Sequence, residues 1–377
     1  MNICFFSDDY IPAKTGTGVS VAMMAKELVK RGHKVVVLTT RRRNQPKYES
    51  IDGVQIYRLF SIPLFGFYQA LATPGRIQKI MALHQIEVAH FHYLSLLSLF
   101  GSLVARRMGV RQVFTHHMTV DHLTQPWLMK PLKPLFKAMI RRFCSGMDLA
   151  TAPSQNFVTL NKEGSPVPLF FISNPMPYKF QISPVQTPAP AASETTDDFT
   201  LLYAGRLDQE KNVSFLIRAV ALAAKVQPNV KLIIAGTGRE EQKLRRLVDR
   251  LGIHDKVTFL GWVEHKVLAE FYRQSQAFVL PSKVETQAIV VLEAMTFGKP
   301  IIMADSIVTA TEFITEGENG IIVKGNDDKS LANAICYLAR HPEEAQEMGE
   351  RSRERVSSAD LTVDKVVEKF ERLYEVQ

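Results

Sequence analysis

"AFVLPSKVETQAIVVLEAM", residues 277–295, holds one complete repeat of the pattern that organises this chain. "AFVL" is a short apolar run closed by Pro281 and Ser282, the mark of a buried strand. Ile289, Val290, Leu292 and Met295 then begin a helical apolar spacing, so the stretch reads strand, turn, helix. Two carboxylates stand in it, Glu285 in the turn and Glu293 in the first turns of the helix. An acidic residue near a helix N-terminus complements the helix dipole for about 0.3–1 kcal/mol. That accounts for Glu293 and leaves Glu285 unexplained.

Working outward, the same alternation fills the chain. "NICFFSDD" (2–9), "KVVVLTT" (34–40), "VAHFHY" (88–93), "RQVFTHH" (111–117), "LATAPS" (149–154) and "LFFISN" (169–174) are strand candidates separated by helical segments. "QISPVQTPAPAASETTDD" (181–198), rich in Pro, Ala, Ser and Thr, reads as a linker or long surface loop. Beyond it come "FTLLYAG" (199–205), "VKLIIAG" (230–236), "VTFLG" (257–261), "AFVLPS" (277–282), "PIIMAD" (300–305) and "GIIV" (320–323). Strands alternating with helices mean parallel sheets covered on both faces. The expected fold is therefore α/β, with two Rossmann-like doubly wound domains facing each other across a cleft. The first spans 1–180, the linker 181–198 and the second 199–362. Ligands of such sheets bind beyond the carboxyl ends of the strands.

The bulk numbers agree. A chain of 377 residues suggests about two domains, and 46% hydrophobic with 22% charged residues is a soluble globular composition. Cys4, Cys144 and Cys336 have neither paired nor metal-ligand spacing and read as reduced thiols of a cytoplasmic protein. The start "MNICFFSDDY" reads as a strand rather than a secretory signal, and the longest apolar run, "LSLLSLFGSLVA" (94–105), is too short to span a bilayer. Charge is uneven: residues 1–180 hold 22 Lys and Arg against 9 Asp and Glu, whereas 181–377 hold 24 against 29. A basic first half faces an anionic partner, and by composition alone nucleic acid and an anionic membrane fit equally.

Several stretches after strands carry chemistry. Gly16-Thr17-Gly18 precedes the helix "SVAMMAKELVKRG", where glycines let backbone N–H groups approach a phosphate or simply turn the chain. "GRLDQEKN" (205–212) supplies Arg206 and Lys211, two cations in one loop that can clamp a diphosphate or merely be solvated. "AGTG" (235–238), with Gly236 and Gly238, and "GWVEH" (261–265), with Val263, are further loops able to lie against a nucleobase or ribose. "VFTHH" (113–117) ends in His116 and His117, which point to opposite sides, so at most one faces the cleft. Nothing has metal-ligand spacing, and no metal is expected. "TQPWLMKPLKPLFKAMIRRFCSG" (124–146) interleaves Trp127 and other apolar residues with Lys130, Lys133, Lys137, Arg141 and Arg142. Such a segment suits an anionic lipid interface, or equally a core-facing helix with a solvated basic face.

In the order "GRLDQEKN", "AGTG", "GWV", then Glu285, seven residues, Glu293 and "AMTFGKP", these stretches resemble family 4 of the retaining glycosyltransferases, of GT-B fold. The likeness covers nearly the whole chain, and "ETQ" with "FTHHMTVDHL" is most similar to diacylglycerol and phosphoinositide glycosyltransferases. It implies an enzyme that moves a hexose from a nucleotide diphosphate sugar, UDP-linked in the first expectation, to a membrane-associated lipid acceptor such as diacylglycerol. Arg206 and Lys211 would bind the diphosphate, which would also meet Thr286, Gln287, Ala288 and Ile289 at the helix N-terminus. Glu285 would contact the donor sugar, Glu293 the ribose, and Gly16 or Gly18 would close over the diphosphate. His117, in the family's Thr-x-His position with Thr115, would face the sugar near the reacting carbon. No cofactor and no nucleic-acid partner are implied, and the expected location is the inner face of the cytoplasmic membrane. "IPLFGFYQAL" (62–71) and 124–146 would form the acceptor side, and an amphipathic helix at 363–377 would cross back onto the first domain. Ala288 stands where family members usually have Gly. A soluble, lipopolysaccharide or capsule acceptor, a nucleotide-sugar epimerase, and a silent binding partner of an active transferase remain alternatives.

Overall fold

The computed structural model describes residues 1–12, 15–64, 67–120, 127–176, 198–307, 309–359 and 361–375. The chain forms two compact units, the described residues of Met1–Pro177 with Leu361–Gln377 and those of Tyr178–Asp360. The linker segment read at 181–198 lies outside the described residues but for Asp198.

In the first unit the strands are β1 (Asn2–Phe6), β2 (Lys34–Thr40), β3 (Tyr48–Ile51), β4 (Val54–Leu59), β5 (Ser61–Leu64), β6 (Phe67–Ala70), β7 (Val88–Phe91), β8 (Arg111–Thr115), β9 (Leu149–Ala152) and β10 (Leu169–Phe171). The helices are α1 (Gly16–Lys30), α2 (Pro74–Leu83), α3 (Leu96–Arg107), α4 (Lys133–Cys144) and α5 (Gln155–Asn161). The sheet runs β10-β9-β8-β7-β1-β2-β4-β3 and is parallel except for β3. β1 pairs with β2 on one side and β7 on the other, so the crossovers reverse direction there. That is the switch point where a doubly wound sheet opens a crevice. β1, β2 and β7 are almost wholly buried apolar runs, as strands covered on both faces must be.

β3 and β4 were not among the strands expected. "YESIDGVQIYRL" folds back through Asp52 and Gly53, which take φ of 52° and 82°. Asp-Gly with both residues left-handed is a type I′ hairpin turn, whose twist matches that of its strands. β5 and β6 form a second hairpin within the stretch 62–71.

The second unit has β11 (Phe199–Ala204), β12 (Val230–Ala235), β13 (Val257–Gly261), β14 (Ala277–Leu280), β15 (Ile301–Ala304) and β16 (Gly320–Val323). Its helices are α6 (Val213–Ala223), α7 (Glu241–Leu251), α8 (His265–Gln274), α9 (Ile289–Thr296), α10 (Ala310–Phe313), α11 (Asp328–Arg340) and α12 (Pro342–Ser358). All six strands are parallel, in the order β13-β12-β11-β14-β15-β16, with the switch point between β11 and β14. β14 and α9 are the strand and helix of the stretch 277–295.

Past α12 the chain returns to the first unit. The amide of Met176 donates to the carbonyl of Leu361 at 3.0 Å, and helix α13 (Val363–Glu375) follows. Its Val363, Val366, Val367, Phe370 and Tyr374 are buried in one cluster with Val21, Met24, Ala25 and Leu28 of α1. Arg31 binds the carboxylates of Asp364 and Glu371, and His33 Nε2 lies 2.7 Å from Glu371 Oε1. Among the described residues no helix is long and apolar enough to cross a membrane.

Candidate functional site

Two loops of the second unit leave the sheet at its switch point. After β11 the chain passes through Gly205 and Arg206, makes one 3-10 turn at Gln209–Lys211, and enters α6 by way of Asn212, at φ 55°. After β14 comes the turn bearing Glu285. The two loops are joined by an ion pair, Lys211 Nζ donating to Glu285 Oε1 at 2.6 Å. The two side chains are only 17% and 10% exposed. The alternative that Lys211 is merely a solvated loop cation does not describe it, because its ammonium is the counter-charge of a buried carboxylate. Arg206 is 43% exposed, with its guanidinium held by Asp208 and by Glu210 Oε1 at 2.6 Å. Both cations predicted for a diphosphate are thus present at the switch point, and both are occupied by carboxylates.

Glu293 lies in the second turn of α9 and is 2% exposed. Tyr272 from α8 donates its hydroxyl to Glu293 Oε2 at 3.0 Å, and His265 Nδ1 lies 3.9 Å from Oε1. Burial pushes the carboxyl up to about 7, and the tyrosine hydrogen bond pulls only partly against it. Ala288 is the N-cap of α9 at φ −89° and ψ 98°, a conformation any residue adopts, so glycine is not demanded there. As an alanine, the N-cap residue supplies no side-chain cap to the helix that Ile289 opens. Thr286 is buried and Gln287 half-buried in the preceding turn.

The glycines of "AGTG" have a structural task that the sequence reading did not foresee. A Cβ on Gly236 would stand 1.8 Å from the carbonyl oxygen of Gly205, and one on Gly238 would stand 2.4 Å from the backbone of Leu207. The loops after β11 and β12 therefore pack backbone against backbone, and the glycines hold Arg206's loop in place. Val263 is half-buried just beyond β13.

In the first unit, Gly16 and Gly18 lie inside the first turn of α1, whereas the sequence placed them before the helix. Thr15 caps that helix by accepting from the Gly18 N–H at 3.1 Å, so this amide already has a partner. His116 and His117 do point apart. His116 is buried against Phe114, Phe157 and Cys144. His117 Nε2 instead meets His92 Nδ1 at 3.0 Å. His90 and His92 were passed over in the sequence, although two histidines two apart at a strand end share one face of the sheet. His90 is wholly buried, with Tyr374 Oη at 2.6 Å from Nδ1 and Thr115 Oγ1 at 2.7 Å from Nε2. Burial lowers all four histidines, His116 to about 4 and His117 to about 3.

Of the basic segment 124–146, residues 124–126 and the Trp127 side chain lie outside the described set. Lys130, Lys137, Arg141 and Arg142 are exposed and Lys133 is half-buried. The apolar positions divide. Phe143 and Cys144 are buried, while Leu132, Leu135 and Met139, one helical face, are 40%, 55% and 43% exposed. Leu99 and Leu103 of α3 are exposed too, and with Ala138, Met139, Arg106 and Arg142 they line one open groove. Within the aromatic stretch 62–71, residues 65–66 lie outside the described set, and Arg42 stacks over the exposed ring of Tyr68.

The profile of Glycosyltransferase Family 4 matches residues 14–175, and that of Glycosyl transferases group 1 matches residues 187–355. The alpha-monoglucosyldiacylglycerol synthase of Streptococcus pneumoniae is 27% identical over 89% of this chain and 77% of its own length. Among solved structures, sucrose-phosphate synthase of Thermosynechococcus elongatus superposes with a TM-score of 0.82 at 22% identity, over 99% of this chain and 98% of that one. HepE of Anabaena in complex with UDP-glucose gives 0.76 at 19% identity over the full length of both.

Proposed function

The chain belongs to the family 4 glycosyltransferases of GT-B fold, and on that premise we propose that it moves a hexose, with retention, from a uridine diphosphate sugar to a lipid acceptor at an anionic membrane surface. Breaking the sugar–phosphate bond leaves negative charge on the departing diphosphate. Fixed cations aimed at that charge are the most effective stabiliser a protein offers. Arg206 and Lys211 fill this role in the reading, which calls on no metal ion. Their present carboxylate partners hold them at the switch point until a diphosphate competes for them. Glu285, freed from Lys211 in part, accepts from sugar hydroxyls, while Glu293 accepts from ribose hydroxyls. The start of α9, whose N-cap alanine has no polar side chain, offers N–H groups to phosphate oxygens. His117 meets the sugar, as the family likeness implies.

The observation that carries this reading is the Lys211–Glu285 pair, which joins the two family signatures at a single switch point. The lipid acceptor is supported by the exposed face Leu132, Leu135 and Met139 among Lys130, Lys133, Lys137, Arg141 and Arg142, and by the named activity of the pneumococcal relative. Each Lys or Arg near an anionic membrane contributes about 1 kcal/mol, enough together for reversible docking. The deciding experiment incubates the chain with radiolabelled UDP-hexoses and vesicles of diacylglycerol in phosphatidylglycerol, with EDTA present. Labelled glycolipid is expected, along with sedimentation that high salt reverses and that a Lys130, Lys133 and Lys137 to Glu triple variant loses. Transfer only to a soluble sugar would refute the lipid acceptor, and loss of turnover in EDTA would refute the metal-free clamp.

A further inference from the structure

Glu293 is a carboxyl group with very little to hold it as an anion. It is 2% exposed, between Leu292 and Ala294, which are buried as fully. Among the described residues its one hydrogen-bond donor is the hydroxyl of Tyr272, 3.0 Å from Oε2. That hydroxyl has a single proton and lies 3.1 Å from a second acceptor, the carbonyl oxygen of Val290. Its ring is fixed by stacking on Phe297, with centroids 5.3 Å apart, so the hydroxyl stays shared between the two.

No cation compensates. His265 Nδ1 stands 3.9 Å from Oε1, beyond hydrogen-bond distance, and its side chain is 46% exposed. β14 and β15, which pack on α9, carry no titratable group. From α12, Arg353 approaches Gly298 and Lys299, past the end of α9, and Lys299 donates to the carbonyls of Arg273 and Ser275. A buried carboxylate needs two or three donors to stay ionised, and this one has a share of one. Burial accordingly raises the group to about 7.

We infer that Glu293 is stored as a carboxylic acid in the second unit, and that a bound ribose drives its proton out, so that taking up a nucleotide sugar releases a proton. This rests on the reading that places Glu293 at the ribose. Two vicinal hydroxyls supply a carboxylate with two donors, and Tyr272 makes a third. The carboxyl O–H bond breaks, its proton passes to solvent, and the ribose keeps both of its own. Donor affinity then depends on pH through a group that touches neither the phosphates nor the base.

The test is calorimetric titration of the full chain with UDP-glucose, whose phosphates do not titrate near neutral pH. Repeating it in buffers of low and high ionisation enthalpy counts the protons released. About 0.7 proton per UDP-glucose is expected at pH 6.5 and about 0.1 at pH 8, with affinity about tenfold higher at pH 8 than at pH 6. Glu293→Gln should release none and bind equally at every pH. Tyr272→Phe keeps the stacked ring and removes the donor, so its release should extend to pH 8. His265→Gln should release as wild type does. Release that survives in Glu293→Gln, or disappears in His265→Gln, would overturn the inference, as would no release at pH 6.5. The stored acid is read separately by titrating 13C-labelled glutamate carboxyls, with Glu293 assigned by the signal lost in Glu293→Gln. Its midpoint should lie near pH 7 in the free protein, and an ordinary carboxylate midpoint would refute the stored acid. If UDP-glucose does not bind, the donor reading and the release fall together, and the carboxyl titration still decides the stored acid. Should Tyr272→Phe not fold, the wild type, Glu293→Gln and His265→Gln carry the test.

Discussion

Lys211 shows why a residue proposed for catalysis must also be read for stability. Its ammonium faces a carboxylate that is only 10% exposed, and removing it leaves that charge buried without a partner. Lys211→Ala should lower turnover by about 10²-fold through the lost counter-charge, and should also cost about 2 kcal/mol of stability. Lys211→Ala with Glu285→Gln should regain most of that stability in denaturant titration and none of the turnover. Arg206→Ala, at a position 43% exposed, should lose comparable activity while its unfolding midpoint stays near wild type. Full turnover in both single variants would refute the clamp. Glu293 offers the complementary case, with a pH signature. Its carboxyl is raised from an ordinary 4.5 to about 7, so between those values the unfolded chain releases a proton that the folded chain keeps. Stability must fall as pH rises through that window, by about 1.4 kcal/mol per unit, and then level off. Glu293→Gln removes the penalty. It should therefore be about 3 kcal/mol more stable than wild type at pH 8, indistinguishable at pH 4, and weaker in UDP binding by calorimetry. An equal stability difference at both pH values would show that Glu293 is not held protonated.

At the scale of elements, legibility followed burial. "KVVVLTT" is a strand over the very residues read from the sequence and is buried at every position but its first, because a parallel strand covered on both faces is an unbroken apolar run. The β3–β4 hairpin escaped for the opposite reason. It is the edge of its sheet, its residues Tyr48–Ile51 are exposed or half-buried, and only the Asp-Gly turn announces it. The site divides in the same way. Arg206, Lys211, Glu285 and Glu293 were legible because their spacing follows the strands. The pairing of Lys211 with Glu285 was not, since it joins residues 74 apart, nor was His92, whose partner is supplied by the neighbouring strand. For α4 the sequence left open a core-facing or a lipid-facing helix, and the fold gives some apolar positions to each. Leu135 and Met139 point to solvent, so Leu135→Ser with Met139→Ser should leave the melting temperature within a degree or two. If the outward face docks on lipid, the same pair should cut sedimentation with phosphatidylglycerol vesicles severalfold. Unchanged sedimentation would remove α4 from the docking surface.

For the molecule as a whole, the consequence of chain order is that the first unit is finished by its last helix. Val363, Val366, Val367, Phe370 and Tyr374 bury their side chains against α1 and the sheet, at about 1.5–3 kcal/mol each. Net domain stabilities are only about 5–15 kcal/mol, so the first unit cannot spare them. The helix also brings Tyr374 to His90, whose Nδ1 would otherwise be buried unpaired. Residues 1–176 alone should therefore fail to unfold cooperatively on heating. The Met176 amide, however, lies 3.0 Å from the carbonyl of Leu361, so a link of two or three glycines and serines can replace the whole second unit. A chain joining 1–176 to 361–377 in this way should fold as a single cooperative unit. Adding Tyr374→Phe to it should lower its stability by about 1–2 kcal/mol. Cooperative melting of 1–176 without the helix would show that α13 is an attachment, and failure of the spliced chain would show that the first unit depends on the second.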